Sequence, residues 1–212
     1  MDKKLHYLFD PLCGWCYGAA PTLRGLSRMS GITLDLLPTG LFSGAGARLM
    51  TDDFATHAWS NDQRIEHLTG QRFTPVYRAK VLGHRERLFD SGPATLALTA
   101  VHVTAPAHEF EALEAIQHAR YVDARDVTSS ATLVTLLETL GLAEAASRLA
   151  RADAGLLDAN TARTHQARTL MQEFGARGVP TLIAEAGAKR WHVDAGALYA
   201  DPSMLASELE RA

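Results

Sequence analysis

Two cysteines separated by two residues, Cys13 and Cys16, follow closely on the first apolar segment of the chain. That segment, residues 5–9, is typical of a short buried strand, and the Asp10-Pro11 pair after it is typical of a turn. A helical pattern starts at Cys13. The sequence therefore predicts a strand, a tight turn and a helix that opens on a cysteine.

The position of Cys13 at a helix N-terminus has a chemical consequence. Unpaired backbone amides and the helix dipole favour negative charge there, so the thiolate forms more readily and becomes nucleophilic near neutral pH. Cys16 lies one turn further into the helix, is better shielded, and can attack a mixed disulfide on Cys13 to release the product. We therefore predict that Cys13 is the attacking thiol and Cys16 the resolving thiol.

Other interpretations of the cysteine pair compete with this one. The two residues can simply be buried in a helix, or they can form half of a zinc site of the Cys₂His₂ or Cys₄ type. The chain has no third cysteine and no histidine pair placed as in a zinc finger, so we expect no metal. A protease-type Cys-His pair would be disabled by oxidation with a resolving cysteine so close. The histidines considered for such a pair are His57, His67 and His192.

The composition limits the classes of partner. The 212 residues are 47% hydrophobic, enough for a core that needs no disulfide staples. The net charge is -3, from 21 basic and 24 acidic side chains, so neither a phosphate-neutralising stripe nor a nucleic-acid partner is expected. No run of about 18 apolar residues predicts a membrane span, and residues 5–9 are too short for a signal-peptide core. We therefore expect a cytoplasmic protein, where a close cysteine pair is more often catalytic than structural.

The rest of the chain alternates between strand and helix patterns. The helix from Cys13 is expected to reach about Met29 with a kink at Pro21, and residues 32–36 form a strand. Residues 38–92 are interpreted as loops and short helices. Apolar stripes then predict three helices, followed by a strand over 178–183, a partner strand over 190–193 and a final helix from Asp201-Pro202. The stripes are Ala112, Leu113, Ile116 and Ala119; Leu133, Leu136, Leu137 and Leu140; and Ala167, Leu170, Met171 and Phe174.

Two segments carry a resemblance to the thioredoxin superfamily, specifically to its DsbA-like branch, which includes the FrnE-like proteins. They are Phe9-Asp10-Pro11-Leu12-Cys13-Gly14-Trp15-Cys16-Tyr17-Gly18 and Gly178-Val179-Pro180-Thr181-Leu182. The resemblance covers nearly the whole chain and implies an α/β, thioredoxin-like fold with a helical domain inserted between N-terminal βαβ and C-terminal ββα parts. Residues 1–40 and 158–212 would form the thioredoxin-like domain, and residues 41–157 the helical insertion.

The resemblance also implies the residues of the site. The family's nucleophilic and resolving cysteines map to Cys13 and Cys16, and its cis-proline maps to Pro180. On frequency alone the Val179-Pro180 bond would be trans, because cis is only about 5–6% of such bonds. The implied substrate-binding positions are Gly14, Trp15, Val179 and Thr181. The segment Asp90-Ser91-Gly92-Pro93 is similar to the family's entry to a helix that packs near the site.

The chain departs from the family pattern in two places. Gly14-Trp15 stands between the cysteines, so the redox potential of other members does not transfer. Tyr7 occupies the position where many members bury an acidic side chain that relays a proton for the resolving thiol. Asp10, in the turn, is expected to be a cap or solvated, which leaves the base for Cys16 open. Trp15 is interpreted either as a substrate contact or as a packing residue. Phe42 and the glycine-rich loop around it are candidates for lining the groove, but a plain surface loop is the preferred interpretation.

These features predict a thiol-disulfide oxidoreductase whose direction is unresolved. Its substrates would be proteins or small thiols, and no cofactor is expected beyond the Cys13–Cys16 pair, with glutathione as a candidate redox partner. A monomer or a surface-driven homodimer is expected. One alternative is a glutathione-dependent transferase or isomerase of the kappa-class or chromene-carboxylate isomerase type, against which both retained cysteines argue. Another is a redox-sensing, chaperone-like binding protein.

Overall fold

The computed structural model describes residues 3–199 together with Leu205, Glu208 and Leu209. Short 3₁₀ or π-helical turns connect some of the longer elements. The helices and strands, in chain order, are β1 (Lys3–Phe9), α1 (Gly14–Gly18), α2 (Ala20–Ser27), β2 (Ile32–Pro38), β3 (Arg48–Leu49), α3 (Asp52–Thr69), α4 (Pro75–Tyr77), β4 (Leu88–Phe89), α5 (Gly92–Thr104), α6 (Glu109–Tyr121), α7 (Ser130–Thr139), α8 (Ala143–Arg151), α9 (Ala154–Glu173), β5 (Thr181–Ala186) and β6 (Lys189–Val193).

The central sheet has four strands in the order β2-β1-β5-β6. β1 pairs in parallel with β2, which returns through α1 and α2, and pairs antiparallel with β5. β5 and β6 form an antiparallel hairpin. The sheet thus joins the first 38 residues to residues 181–193, and the segment between them is mostly helical. This arrangement confirms the predicted α/β, thioredoxin-like class.

β1 is buried from Leu5 to Phe9, and these residues are apolar apart from His6 because both faces of the strand are covered there. Leu5, Tyr7 and Phe9 point into the main core, which also contains the buried faces of the helices from α1 to α8. Leu8 points the other way and packs with α9. That second, smaller core consists of Leu8, Leu37, Ala167, Leu170 and Ile183.

The helix expected from Cys13 to about Met29 is two helices, with the break at Ala19. A proline inside a helix removes a backbone hydrogen bond and collides with the carbonyl four residues earlier, but it is tolerated in the first turn. The chain therefore starts a new helix, α2, that places Pro21 in its first turn. The interruption was predicted, and it falls two residues before the proline.

The interpretation of residues 38–92 as loops and short helices was wrong for α3, which is 18 residues long. The Thr51 side chain caps this helix by accepting a hydrogen bond from the Phe54 amide, and acidic residues fill the first turn. Gly70 ends it with φ +73°, a left-handed conformation that suits glycine. The prediction failed because much of the helix surface is polar, so no long apolar stripe marks it.

The later part of the chain follows its sequence pattern closely. The three predicted stripes lie on α6, α7 and α9, and the predicted hairpin is β5 and β6. The strand expected over 178–183 begins only at Thr181, after the proline, and its turn is Gly187-Ala188. The helix predicted from Asp201-Pro202 opens outside the described residues. Within the described part, no helix is both long and apolar enough to cross a membrane.

Candidate active site

The turn between β1 and α1 places the two cysteines at different depths. Cys13 is the N-cap residue of α1, and its amide donates to the Asp10 carbonyl across the turn, at 3.1 Å. Cys16 follows one helical turn later. The two residues retain 8% and 1% of their exposure, respectively. The structure therefore places Cys13 nearer to solvent at the helix end and Cys16 behind it.

The loop before β5 brings Val179 and Pro180 against Cys13, across 166 residues of chain. The Cys13 thiol donates to the Val179 carbonyl, with an Sγ to O distance of 3.7 Å, and the Val179–Pro180 peptide bond is cis. Thr181 begins β5, pairs with Leu8, and donates its hydroxyl to the Gly178 carbonyl at 2.8 Å. The residues singled out at the two ends of the sequence thus meet at one point.

The environment of Cys16 disfavours its ionised form. Burial raises the pKa of the Cys16 thiol well above its ordinary value, and the hydrogen bond and charge of Cys13 raise it further. The Tyr7 hydroxyl donates to the Cys16 carbonyl at 3.2 Å. Burial holds the pKa of Tyr7 well above the usual range as well. Cys16 is therefore a protonated thiol at rest.

Asp10 is not solvated, contrary to one of the two roles expected for it. It is 0% exposed, and its carboxylate accepts hydrogen bonds from the Leu12 amide at 2.9 Å, the Phe42 amide at 3.1 Å and the Ser91 hydroxyl at 2.7 Å. Burial raises its pKa, although these three bonds and the charge of Arg120 lower it. Asp10 thus ties the active-site turn to the segment that contains Phe42 and Ser91.

Trp15 has the packing role, which is one of the two left open for it. The ring is half-buried and packs edge-on against Tyr199, with ring centroids 5.2 Å apart, while the Arg64 guanidinium lies over it at 5.8 Å. The Tyr199 hydroxyl also donates to the Trp15 carbonyl at 3.0 Å. The same residue forms part of the wall of a cavity beside Cys13. Trp15 therefore packs against the protein and also borders the reactive thiol.

That cavity is the main concave feature next to the cysteines, with a volume of about 410 Å³. Its wall is mostly apolar and aromatic, and Phe42, interpreted from the sequence as part of a plain surface loop, belongs to it. A cavity of this size suits a small organic ligand. The lining residues are Leu12, Cys13, Gly14, Trp15, Phe42, Arg48, Phe54, His57, Ala58, Asn61, Asp62, Ile65, Tyr77, Leu82, Phe89 and Tyr121.

Asp62 is the acidic group of this cavity, and sequence reasoning missed it. It lies on α3, is 4% exposed, and accepts a hydrogen bond from the Tyr77 hydroxyl at 3.1 Å. Burial raises the pKa of Asp62 to about 7, against the lowering effects of Tyr77 and the Arg120 charge. One signal was present, since Ala55, Asp62 and Ile65 share the helical spacing of the buried face.

The metal-site and protease-type alternatives depend on where the other polar side chains lie. Among the described residues, no group of three or more His, Cys, Asp or Glu side chains could hold a metal ion. His57 lines the cavity and its Nε2 contacts the Asn61 amide nitrogen at 2.9 Å, whereas His192 lies on β6 opposite Ile183.

Comparisons with known proteins agree with this geometry. The chain is 32% identical to the cytosolic disulfide reductase DsbM from Pseudomonas aeruginosa, with a TM-score of 0.87, and 99% of this chain and 100% of that chain are covered. A structure of the same protein with GSH gives a TM-score of 0.81 at 32% identity, with 98% of each chain covered. A Nitrosomonas europaea protein described as a candidate protein disulfide isomerase gives 0.80 at 24% identity, with coverage of 100% and 99%.

A search of curated protein sequences gives no match. The DSBA-like thioredoxin domain family matches residues 4–199, which is nearly the whole chain and includes both cysteines and Pro180. The chain therefore belongs to the DSBA-like thioredoxin domain family of thiol-disulfide oxidoreductases and isomerases.

Proposed function

We propose that the protein is a disulfide reductase that works through Cys13 and Cys16. The observation that carries this proposal is the contact of the Cys13 thiol, at the start of α1, with the carbonyl of Val179 beside Pro180. A helix N-terminus favours a nucleophilic thiolate, and the backbone of Val179, which lies before β5 begins, suits pairing with an extended substrate. The likeness to a cytosolic disulfide reductase supports the reducing direction.

The catalytic cycle follows from the different depths of the two thiols. The Cys13 thiolate attacks one sulfur of a substrate disulfide, the other sulfur leaves as a thiol, and a mixed disulfide on Cys13 remains. Cys16, shielded by burial, then loses its proton and attacks Cys13, which releases the second substrate thiol and leaves a Cys13–Cys16 disulfide. Two electrons pass to the substrate. Two molecules of an external thiol then reduce the Cys13–Cys16 disulfide to the dithiol and are themselves joined in a disulfide.

We infer that a low-molecular-weight thiol such as glutathione supplies those electrons in the cytosol. The cavity beside Cys13 is large enough for a small thiol, and a relative with 32% identity has been crystallised with GSH. Gly14 and Trp15 border the cavity, Val179 contacts Cys13 from the loop before β5, and Thr181 is the first residue of that strand. A substrate bound at Cys13 would therefore contact Gly14, Trp15, Val179 and Thr181.

Replacement of each cysteine tests the proposal. Cys13→Ser should abolish reduction of small disulfides and of insulin by glutathione, because no attack can occur. Cys16→Ser should accumulate an adduct on Cys13 that dithiothreitol releases, because attack proceeds without resolution. Mass spectrometry of the adduct identifies the bound thiol. Full turnover by Cys13→Ser, or an adduct that forms on Cys16 in the Cys13→Ser variant at the same rate, would contradict the assignment.

The direction of the reaction has its own measurement. The Cys13–Cys16 couple should equilibrate with glutathione buffers at a potential close to that of glutathione, since glutathione must be able to reduce the couple and the couple must pass electrons to its substrates. For a two-electron couple about 30 mV corresponds to about 1.4 kcal/mol, so the buffer ratio at half oxidation gives the potential directly. A couple that stays fully reduced in strongly oxidising buffer would instead identify an oxidase.

A further inference from the structure

Only one of the two carboxyl oxygens of the buried residue Asp62 is explained by its hydrogen bond within the protein. Its Tyr77 hydrogen bond engages Oδ2 only, while Oδ1 points at the backbone of Gly14, next to Cys13. A Cβ added to Gly14 would lie 2.7 Å from that oxygen, closer than real contacts allow. The missing side chain of Gly14 is therefore what lets the carboxyl group reach the turn that holds the nucleophile.

The Asp62 carboxyl group lies at the same cavity as Cys13. Both line the cavity of about 410 Å³, whose wall is mostly apolar and aromatic, with Arg48, His57 and Asn61 as its other polar residues. When Cys13 attacks one sulfur of a disulfide, the half of the substrate that leaves must lie beside Cys13. An apolar wall solvates a leaving thiolate poorly, so a proton donor there lowers the barrier.

We propose that Asp62 donates a proton to the thiolate that leaves when Cys13 attacks a substrate disulfide, and accepts a proton from an incoming thiol in the reverse direction. This inference rests on the proposed disulfide-exchange function. In this step the Cys13 thiolate, the substrate disulfide and the Asp62 carboxylic acid react to give the mixed disulfide on Cys13, a free thiol and the Asp62 carboxylate. Two electrons of the broken sulfur–sulfur bond go to the leaving sulfur, which takes the proton.

The other polar groups around Asp62 are less suited to this step. The Tyr77 hydroxyl donates to Asp62 itself, and the Tyr121 hydroxyl donates to the Leu12 carbonyl at 2.7 Å. Burial raises the pKa values of both tyrosines far above the usual range. The charged and titratable groups that line the cavity or act on Asp62 are Cys13, Arg48, His57, Tyr77, Arg120 and Tyr121.

Arg48, Arg120 and His57 remain as polar neighbours. The Arg48 guanidinium lies over the rings of Phe42 and Phe54 and has no proton to give near neutral pH. Arg120 is buried against the rings of Tyr77, Phe89 and Tyr121, and its charge lowers the pKa of Asp62. It does not line the cavity and has no proton to give near neutral pH. His57 is exposed at the cavity and contacts Asn61, so a variant of His57 is needed to exclude it as the proton donor. With a pKa of about 7, Asp62 can give or take a proton under physiological conditions.

The test uses two substrates that differ in their leaving groups. Reduced enzyme is mixed in single turnovers with bis(2-hydroxyethyl) disulfide, which releases a weakly acidic thiol, and with 5,5′-dithiobis(2-nitrobenzoate), which releases a strongly acidic one. A general acid matters only for the first. Asp62→Asn keeps the size of the side chain and the Tyr77 hydrogen bond. It should slow the first reaction by about 10²-fold and the second by only a few-fold.

The controls distinguish proton donation by Asp62 from a purely structural role of that residue. They also distinguish a failure of this proposal from a failure of the proposed reductase function. Asp53→Asn, which removes an exposed carboxylate from the first turn of the same helix, should leave both rates unchanged. Equal slowing of both reactions by Asp62→Asn, or a selective loss in His57→Gln instead, would overturn the role of Asp62 and leave the reductase intact. If the wild-type enzyme reduced neither disulfide, the reductase proposal itself would fall, and this one with it.

A second measurement needs no variant. In the wild-type enzyme the ratio of the two rates cancels the ionisation of Cys13, because both reactions use the same nucleophile. Asp62 donates in its protonated form, so the ratio of the first rate to the second should fall as the pH rises through about 7. A ratio that stays constant between about pH 5 and pH 9 would reject proton donation by Asp62 even if Asp62→Asn failed to fold.

Discussion

The two thiols differ in reactivity at the scale of single residues because one helical turn separates a helix end from the core. Cys13 retains 8% of its exposure and Cys16 1%, and burial raises the pKa of Cys16 well above its ordinary value. Alkylation requires the thiolate and access to it. We expect brief treatment with iodoacetamide near neutral pH to label Cys13 before Cys16. Peptide mass mapping checks the order, and initial labelling of Cys16 would reverse the two roles.

The site residues fall into those that the sequence could reveal and those that it could not. Cys13, Cys16 and Pro180 lie in the two segments that carry the family resemblance, and that resemblance implied that they would meet. Asp62 lies in a polar stretch, and only the folding of α3 against α1 brings it to Gly14. Asp10 was expected to be a cap or solvated because a turn is usually at the surface. Its burial depends on Phe42 and Ser91, whose approach is tertiary.

The helices and strands also divide into those that the sequence could reveal and those that it could not. β1, β2, β5 and β6 are short runs with clear periodicity and nearby turn residues, and each was found within a few residues. α3 has a Thr51 cap, an acidic first turn and Gly70 at its end, which are local signals, but its buried face is interrupted by polar residues. Its stability comes from packing against α1 and the aromatic wall of the cavity, which local pattern cannot predict.

A cluster of charges on β1 and its neighbours illustrates how the sheet itself is stabilised. His6 lies opposite Asp35 of β2 and contacts its Oδ2 with Nδ1 at 2.7 Å, and Lys4 reaches the same oxygen at 3.1 Å. Burial alone would raise the pKa of Asp35, but the hydrogen bonds from His6 and Lys4 hold it below its usual range. The Asp35 carboxylate therefore stabilises the folded state when it is ionised.

The sign of the pH effect follows from that lowered pKa. A carboxyl group whose pKa is lower in the folded than in the unfolded state stabilises the fold above the unfolded value of about 3.9. That contribution is lost as the pH falls further, through the folded value. Asp35→Asn should lower the free energy of unfolding in urea by roughly 1–3 kcal/mol at pH 7 and far less at about pH 2. Asp158→Asn, at an exposed position on α9, is the control. A pH-independent loss would mean that packing, not charge, is affected.

At the scale of the whole molecule, buried polar contacts join the sheet to the helical segment between its strands. Asp10 binds Ser91 and Phe42 from the turn after β1. Arg163 of α9 forms a buried ion pair with Glu109 at the start of α6 and donates to the Leu36 carbonyl of β2 at 2.8 Å. If residues 41–157 form an inserted domain, as the sequence predicts, these contacts couple it to the thioredoxin-like part.

This coupling predicts how the molecule unfolds when the ion pair is broken. Removal of Arg163 leaves the buried Glu109 carboxylate with His102, whose Nδ1 lies 2.7 Å from Oε2, as its remaining side-chain partner. Breaking a buried ion pair by removing one partner typically costs about 3–5 kcal/mol, so Arg163→Met should lower the free energy of unfolding in urea by up to about that amount. Adding Glu109→Gln should recover part of the loss, because the buried carboxylate that has lost Arg163 is then gone. In the wild-type protein, in Arg163→Met and in the double variant, the helix signal and the tryptophan fluorescence should change together during unfolding. The fluorescence reports on both parts of the molecule, because Trp15 and Trp59 lie in different predicted domains.

Two results would contradict this coupling. A loss below about 1 kcal/mol in Arg163→Met would show that other contacts hold the two parts together. Separate transitions for the two signals in the wild-type protein would show that the two parts unfold independently.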